Sequence, residues 1–260
     1  MKIQNIIGEK MITRDQIINR MKDFAQGNPR VHAMWLEGAD GLGLVDEYSD
    51  IDVWFDVDDD HAAEFLDKCI WDLINGLGKL NVAQNIPHQN PFILQMNVRL
   101  ADSSPYLFVD ICVQKHSRPK DATTYTRGDI AELPKVIFDK SNVIRFKDPE
   151  PHSPETVDSL LQSIRGRFDQ RTRATKYIHR GNYIEAITLY QEYVVDPIIE
   201  IARLVYTPRI YNYGTCHISR HLPKSEIKKI ERLFQNRNLD DLKKNVKYAE
   251  KLIDEYSKKF

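Results

Sequence analysis

The sequence predicts an α+β protein in which a small mixed β-sheet domain is followed by an all-helical domain. Short apolar runs typical of strands fall within the first 150 residues, and from Pro154 onward apolar residues recur at helical spacing. Strands that precede helices, instead of alternating with them, indicate this class. At 260 residues the chain is long enough for two domains. We expect them at 1–150 and 151–260.

The first domain is expected to begin with a helix and to contain several strands. The residues Thr13 and Gln16 have the spacing of a capping box, which predicts a helix start. Asp58 or Asp59 is expected to cap a second helix, and Asp56 to be a surface charge. The predicted elements are strands at 31–36, 51–57, 92–101, 106–114 and 142–146, with the third and fourth forming an antiparallel hairpin, and a helix at 58–78.

The second domain is expected to consist of long helices. Pro197 lies inside one of them and predicts a kink or a break there, because proline removes a helical hydrogen bond. The predicted helices are 155–180, 182–206, 223–236 and 238–257.

Charge is distributed unevenly between the two predicted domains. Residues 1–150 carry 17 basic and 24 acidic side chains, a net charge of −7, whereas residues 151–260 carry 20 basic and 14 acidic, a net charge of +6. The whole chain is near neutral, which argues against duplex nucleic acid as a partner. The polar N-terminal segment lacks the apolar run of a signal peptide or a membrane helix, so a soluble cytoplasmic protein is expected.

Two carboxylates two residues apart mark the candidate site. Asp50 and Asp52 stand at the start of a predicted strand, where alternation points both side chains to the same face. Neighbouring ionised carboxylates repel each other unless a cation neutralises them. Mg²⁺ prefers oxygen ligands and substrate phosphates, so the pair indicates a magnesium site.

A third carboxylate is expected from a neighbouring strand. Asp110 lies in the middle of an otherwise apolar strand, where a lone aspartate is costly unless it is paired or bound to metal. It is the predicted third metal ligand. It is also the candidate to lower the pKa of an attacking hydroxyl or to accept its proton.

A glycine turn precedes the aspartate pair. Gly38 follows the strand at 31–36, and glycine lets a backbone approach a phosphate closely. Consecutive N–H groups in such a turn form a concavity that binds anions. Gly41 and Gly43 are expected to keep the loop open.

The predicted helical domain offers a basic face. Arg173, Lys176 and Arg180 follow helical spacing, which suits contacts with a triphosphate, although a solvated face has the same pattern. The acidic stripe of Glu192, Asp196 and Glu200 suits a cationic acceptor if it faces a cleft, and a solvated face, which is favoured, has the same pattern. His217 lies in a loop rich in Tyr and Arg that suits either substrate contacts or packing between helices.

Together these motifs resemble the nucleotidyltransferase superfamily of the DNA polymerase β type. The order is a strand ending in Leu36, Gly38-Ala39, then Ser49-Asp50-Ile51-Asp52, and Asp110 on a later strand. The run ending in Tyr-Ser-Asp-Ile-Asp is most similar to bacterial lincosamide and streptomycin (aminoglycoside) adenylyltransferases. In those enzymes, too, a small catalytic domain precedes a helical one.

The resemblance implies transfer of a nucleoside monophosphate, AMP from ATP, to a hydroxyl of a small molecule by a two-metal mechanism. It implies Mg²⁺ on the three aspartates, nucleotide contacts from Gly38, Ala39 and Ser49, and clamping by Lys176 and Arg173. The implied partners are a nucleoside triphosphate and a small hydroxylated acceptor, with neither duplex nucleic acid nor membrane, and a monomer or homodimer is expected.

One departure from the family pattern leaves alternatives open. Ala39 replaces the usual serine, whose hydroxyl helps to hold the triphosphate. A non-catalytic or antitoxin-like relative that acts by binding is therefore one alternative, and transfer to RNA or protein is another. Intact carboxylates favour the enzyme.

Overall fold

The fold is that of a computed structural model, which describes residues 11–260. The chain forms two compact units, Met1–Pro149 and Glu150–Phe260. All strands of the described residues belong to the first unit, and the regular structure of the second is helical. The α+β class predicted from the sequence is confirmed.

A six-stranded mixed sheet forms the framework of the first unit. The strands in chain order are β1 (Val31–Leu36), β2 (Ile51–Val57), β3 (Leu80–Asn85), β4 (Ile93–Leu100), β5 (Val109–Lys115), β6 (Thr124–Thr126), β7 (Lys135–Asp139) and β8 (Arg145–Lys147). The order across the sheet is β3-β4-β5-β2-β1-β7. Strands β2 and β5 are parallel and the other neighbours are antiparallel. Strands β6 and β8 form a separate parallel pair.

Three helices accompany the sheet: α1 (Arg14–Gln26), α2 (Gly38–Leu42) and α3 (Ala62–Leu77). The capping box at Thr13 is present, because its side chain accepts from the Gln16 N–H and the Gln16 side chain accepts in return. Helices α1 and α3 pack together and cover one face of the sheet. Their apolar side chains form one core with the sheet residues Val53 and Ile111.

The opposite face of the sheet carries polar residues and a smaller apolar cluster. Ala33 and Trp35 of β1 pack there with Tyr125 and Ile144. Strand alternation places Asp52 of β2 and Asp110 of β5 on the face away from the α1–α3 core. Both aspartates therefore stand outside the main apolar core.

The acidic segment after β2 differs from the sequence prediction in two respects. Helix α3 begins at Ala62, and the carboxylates of Asp58 and Asp59 bond to other segments instead of capping it. Asp56 is 2% exposed, so its assignment as a surface charge was wrong. The predicted hairpin of β4 and β5 is confirmed, whereas β3, β6 and β7 carry weaker patterns and were not predicted.

The second unit contains shorter helices than the sequence predicts. Two predicted helices are each divided: the first at residues 170–171, and the second at a π-helical turn, Gln191–Val195, two residues before Pro197. The helices are α4 (Pro154–Asp169), α5 (Thr172–Arg180), α6 (Tyr183–Tyr190), α7 (Asp196–Tyr206), α8 (Ile218–His221), α9 (Lys224–Leu233) and α10 (Leu239–Ser257). Across residues 11–260, no helix has both the length and the apolar character needed to cross a bilayer.

Candidate active site

Asp52 and Asp110 are direct neighbours on the parallel strands β2 and β5. Paired positions in a sheet have backbones about 4.8 Å apart, and residues in register point to the same face. The two carboxyl groups therefore lie side by side on the face opposite the main core. This juxtaposition requires a crossover from β2 to β5 through α3, β3 and β4.

Asp50 completes the acidic group. It immediately precedes β2, and its charge contributes to raising the pKa of both Asp52 and Asp110. Burial is the larger cause for each. The pKa of Asp52 is raised to about 6 by burial and then by the charges of Asp50, Asp110 and Glu37, against which Arg14 acts more weakly. Of the three predicted metal ligands, Asp52 and Asp110 are thus register neighbours, and Asp50 lies near enough for its charge to act on both.

Gly38 supports this arrangement through its lack of a side chain. Its φ of +56° lies in the left-handed region, and a Cβ there would be 2.2 Å from Asp52 Oδ2. The backbone thus passes directly over the carboxylate. The expectation that Gly41 keeps a loop open was wrong, because residues 38–42 form the short helix α2 and Gly41 packs on the backbone of Leu133.

Glu37 is a fourth carboxylate at this site that the sequence analysis did not single out. It accepts hydrogen bonds from Trp35 Nε1 at 3.0 Å and from the hydroxyl of Tyr125. Two donors fix its position next to Gly38. Its place directly before the glycine turn is a signal that could have identified it.

Gln95 of β4 was also missed. Its side-chain amide donates to both carboxylate oxygens of Asp110, at 2.9 and 2.7 Å. These bonds lower the pKa of Asp110, while burial raises it by more. Alternation within the predicted hairpin could have placed Gln95 on the Asp110 face.

Arg14, at the start of α1, holds the segment that leads into β2. Its guanidinium donates to the carbonyl of Ser49 at 3.1 Å and to that of Asp50, and it pairs with the buried carboxylate of Asp40. The hydroxyl of Ser49 is itself bonded to Asp46. Ser49 therefore shapes the loop, and Ala39 lies in α2 next to Gly38.

The two basic residues predicted to bind nucleotide lie in the second unit. Arg173 and Lys176 are both exposed on α5. The guanidinium of Arg173 lies 5.3 Å from the ring centre of Tyr193, and Lys176 Nζ lies 5.3 Å from that of Tyr177. Glu200 of the acidic stripe pairs with Arg167 within this unit.

The donor set of the first unit fits a hard divalent cation. Asp50, Asp52 and Asp110 offer carboxylate oxygens at two adjacent strands. Burial and the charge of Asp50 disfavour the ionised forms of Asp52 and Asp110, which a cation would stabilise. Such a set matches the preference of Mg²⁺ for oxygen ligands. The arrangement is therefore suited to holding a hard divalent cation.

This chain is similar in structure to several proteins whose structures have been solved. Neither a family model nor a curated protein matches the sequence. An aminoglycoside 6-adenyltransferase from Bacillus subtilis aligns with 16% identity over 96% of this chain and 90% of its own, with a TM-score of 0.39. A spectinomycin adenyltransferase from Enterococcus faecialis, solved with ATP and spectinomycin, aligns with 11% identity over 93% and 100%, TM-score 0.31.

A cytoplasmic RNA terminal U-transferase also aligns, with 12% identity over 93% of this chain and 66% of its own, TM-score 0.27. These proteins are of the kind that the sequence motifs resemble. Because all three TM-scores are below 0.5, a functional assignment must rest on the residues of this chain.

Proposed function

We propose that this chain is a nucleotidyltransferase that transfers a nucleoside monophosphate, AMP from ATP, to a hydroxyl of a small molecule. The observation that carries the proposal is the register pair of Asp52 and Asp110, with Asp50 close enough to raise the pKa of both. A structural role does not explain why Asp52 and Asp110 share one sheet face with Asp50 close enough to repel both. Binding of a cation complexed with phosphate does.

Asp50, Asp52 and Asp110 are the proposed magnesium ligands. Bound Mg²⁺ supplies charge neutralisation and polarisation of the phosphoryl oxygens. Gly38 lets the backbone approach Asp52 without a Cβ in the way, and backbone groups of Gly38 and Ala39 are proposed to contact the phosphates in place of the family's serine hydroxyl.

The proposed reaction is a displacement at the α-phosphorus. The acceptor oxygen forms a bond to that phosphorus, the bond to the oxygen bridging the α- and β-phosphates breaks, and pyrophosphate leaves with the electron pair. The hydroxyl proton passes to the carboxylate of Asp110. The raised pKa of Asp110 suits this role, because it makes the group a better proton acceptor than an ordinary aspartate.

Further nucleotide contacts are proposed for three residues. Ser49 would act through the loop that it closes with Asp46. Arg173 and Lys176 carry positive charge on an exposed face of α5, which suits the triphosphate. The separate substitutions Arg173→Met and Lys176→Met are each expected to raise the KM for ATP several-fold with a smaller effect on kcat.

The test is magnesium-dependent turnover of α-labelled ATP with a pooled panel of hydroxylated acceptors that includes aminoglycosides and lincosamides. We expect pyrophosphate release together with a nucleotidylated product. The Asp52→Asn variant should reduce the rate by at least about 1,000-fold, because a metal ligand next to the reacting phosphate is lost. Asp67→Asn makes the same chemical change on the exposed side of α3 and serves as the matched control.

Two other outcomes would point elsewhere. Turnover with an RNA acceptor but with no small molecule would mean that the same site transfers the nucleotide to RNA. Salt-sensitive binding of RNA should then be observed as well. If calorimetry detects neither ATP nor Mg²⁺ binding, the catalytic proposal is wrong and a non-catalytic binding role takes its place.

A further inference from the structure

A second cluster of metal-ligating side chains lies at the other end of β2. His32, Asp56 and His116 each present one ligand atom, and these three atoms lie within 4.8 Å of one another. The imidazole rings are stacked with their centres 3.8 Å apart. His116 Nδ1 lies 2.6 Å from Asp56 Oδ1. We call these three residues the histidine cluster.

An irregularity in β1 brings His32 to this cluster. Val31 belongs to the α1–α3 core, whereas Ala33 and Trp35 lie on the opposite face. Regular alternation would give Val31 and Ala33 the same face. The register between β1 and β2 shifts between Val31 and Ala33, a β-bulge at His32. Bulges re-aim side chains, and this one places His32 beside Asp56.

Asp56 is the buried anchor of the cluster. It is 2% exposed, and its second carboxylate oxygen accepts from Gln114 Nε2 at 2.6 Å. Within residues 11–260 its carboxylate forms an ion pair with His116 and with no lysine or arginine. A buried carboxylate requires a cationic partner or a metal, and a histidine is cationic only when protonated.

The surroundings of the cluster are rich in negative charge. Asp58, Asp59 and Asp60 follow Asp56 within four residues. Arg30 pairs with Asp58 and Asp60, and Asp59 bonds to Ser117. Lys115 also acts on Asp59 through its positive charge. Two basic side chains among four carboxylates still leave an excess of negative charge, which favours a divalent cation in addition.

We propose that His32, Asp56 and His116 form a site for a divalent transition metal ion of the zinc type. Two imidazoles and one carboxylate suit Zn²⁺, with water as the fourth ligand. Ligand atoms of a tetrahedral zinc are about 3.3 Å apart, so the cluster must contract from its present spread. The side chain of His116 is 44% exposed, which leaves its ring free to turn.

The remaining nitrogen of His32 already has a hydrogen-bonding partner. Nδ1 lies 2.9 Å from Ser141 Oγ, and Nε2 lies 2.8 Å from Asp58 Oδ1. Ligation would exchange one of these two partners for the ion, and the other nitrogen would keep its partner. Metal-binding histidines are usually oriented in this way.

The histidine cluster is distinct from the three-carboxylate site. Asp56 follows Asp52 by four residues along β2, a separation of about 13 Å. Trp54 stands between them on the same face. The ion would connect β1, β2 and the segment after β5, so its expected role is to stabilise the first unit.

The test uses the full chain, stripped of metal by a chelator and then titrated with Zn²⁺ in about 10 mM Mg²⁺, which occupies hard oxygen sites. We expect one equivalent of Zn²⁺ to bind and to raise the thermal midpoint. Co²⁺ in its place should give the intense visible absorption of a four-coordinate site with nitrogen ligands.

Variants decide which site binds the ion. His116→Asn should weaken Zn²⁺ binding at least about 100-fold, whereas the exposed His88→Asn and the active-site Asp52→Asn should retain it. Since His116 is half exposed, its variant is expected to fold, and circular dichroism checks this. The proposal is overturned if no zinc binds in excess Mg²⁺, if His116→Asn binds like the unaltered protein, or if Asp52→Asn abolishes binding. The Co²⁺ spectrum of the unaltered protein tests imidazole ligation without any variant.

Discussion

Gly38 and Asp52 are in such close contact that a Cβ on Gly38 would lie 2.2 Å from the Oδ2 atom of Asp52. The overlap is not relieved by a shift of the Asp52 backbone, because β2 is a central strand held between β1 and β5. The position of Asp52, the proposed magnesium ligand, therefore depends on residue 38 being a glycine.

Gly38→Ala is expected to reduce nucleotidyl transfer by at least about 100-fold by displacing Asp52. Gly43→Ala is the matched control: its φ of +69° imposes similar backbone strain, about 1 kcal/mol, but its Cβ would meet no atom within 4 Å. Both variants should lose comparable stability, measured by denaturant unfolding. Equal activity in the two variants would show that close approach to Asp52 does not matter.

Asp52→Asn is expected to stabilise the metal-free protein above about pH 7. In the unaltered folded protein the pKa of Asp52 is raised to about 6, above its value in the unfolded chain. The ionised form of Asp52 therefore destabilises the fold. That penalty is present above pH 6 and disappears as the pH falls through the folded pKa toward the unfolded one. After allowance for solvent screening we expect a gain of about 1 kcal/mol at high pH.

The measurement is urea unfolding in the presence of a chelator at about pH 8 and about pH 5. The difference between Asp52→Asn and the unaltered protein should shrink at the lower pH. Mg²⁺ should stabilise the unaltered protein and have little effect on the variant. A variant that is less stable at both pH values would contradict the assigned repulsion.

The sequence was sufficient to predict that Asp52 and Asp110 lie close together, for identifiable reasons. Asp50 and Asp52 share a strand start, and an aspartate inside an apolar strand, Asp110, has few structural explanations. The parallel pairing of β2 with β5 could not be read from local pattern, because it depends on which strands meet after a crossover of more than fifty residues. Gln95 was missed for the same reason, because its partner Asp110 lies on the neighbouring strand. Glu37 was missed because its bond to Tyr125 joins segments far apart in the chain.

The helical half was harder to predict in its details. The boundaries of α9 and α10 lie close to those expected from apolar spacing. The π-helical turn before Pro197 inserts an extra residue that no propensity signals, and it disturbs the spacing assumed for the stripe from Glu192 to Glu200. The burial of Asp56 was missed because its partners, Gln114 and His116, lie on another strand and its extension.

Gln95→Met is expected to alter the pH dependence of the reaction. The amide of Gln95 lowers the pKa of Asp110, so its loss should raise that pKa further. The acidic limb of the kcat/KM profile should then move to higher pH, so that the loss of rate is largest in acidic buffer and disappears in alkaline buffer.

Gln84→Met makes the same exchange on β3, where the side chain is exposed, and should leave the profile unchanged. A uniform loss of rate at every pH would assign Gln95 a purely structural role. An unchanged profile would exclude Asp110 as the titrating group in that limb.

Arg203, in α7 of the second unit, is expected to hold the loop that follows that helix. It is fully buried, which lowers its pKa, and it donates to the carbonyl of Gly214 at 2.7 Å and to that of Cys216. It also lies 3.2 Å from His221 Nδ1. Within residues 11–260 its charge is balanced by backbone carbonyl dipoles instead of a carboxylate.

Arg203→Met should destabilise the second unit by about 2–4 kcal/mol, because two carbonyls lose their charged donor. Arg203→Lys should recover only part of this, since an ammonium group lacks the planar fork that reaches both carbonyls. Limited proteolysis followed by mass spectrometry should show faster cleavage between Tyr211 and Cys216 in both variants. Arg209→Met removes an exposed arginine from the same segment and should leave the cleavage rate unchanged. If Arg203→Met is cleaved no faster than Arg209→Met, the loop is held by its apolar contacts and not by the buried guanidinium.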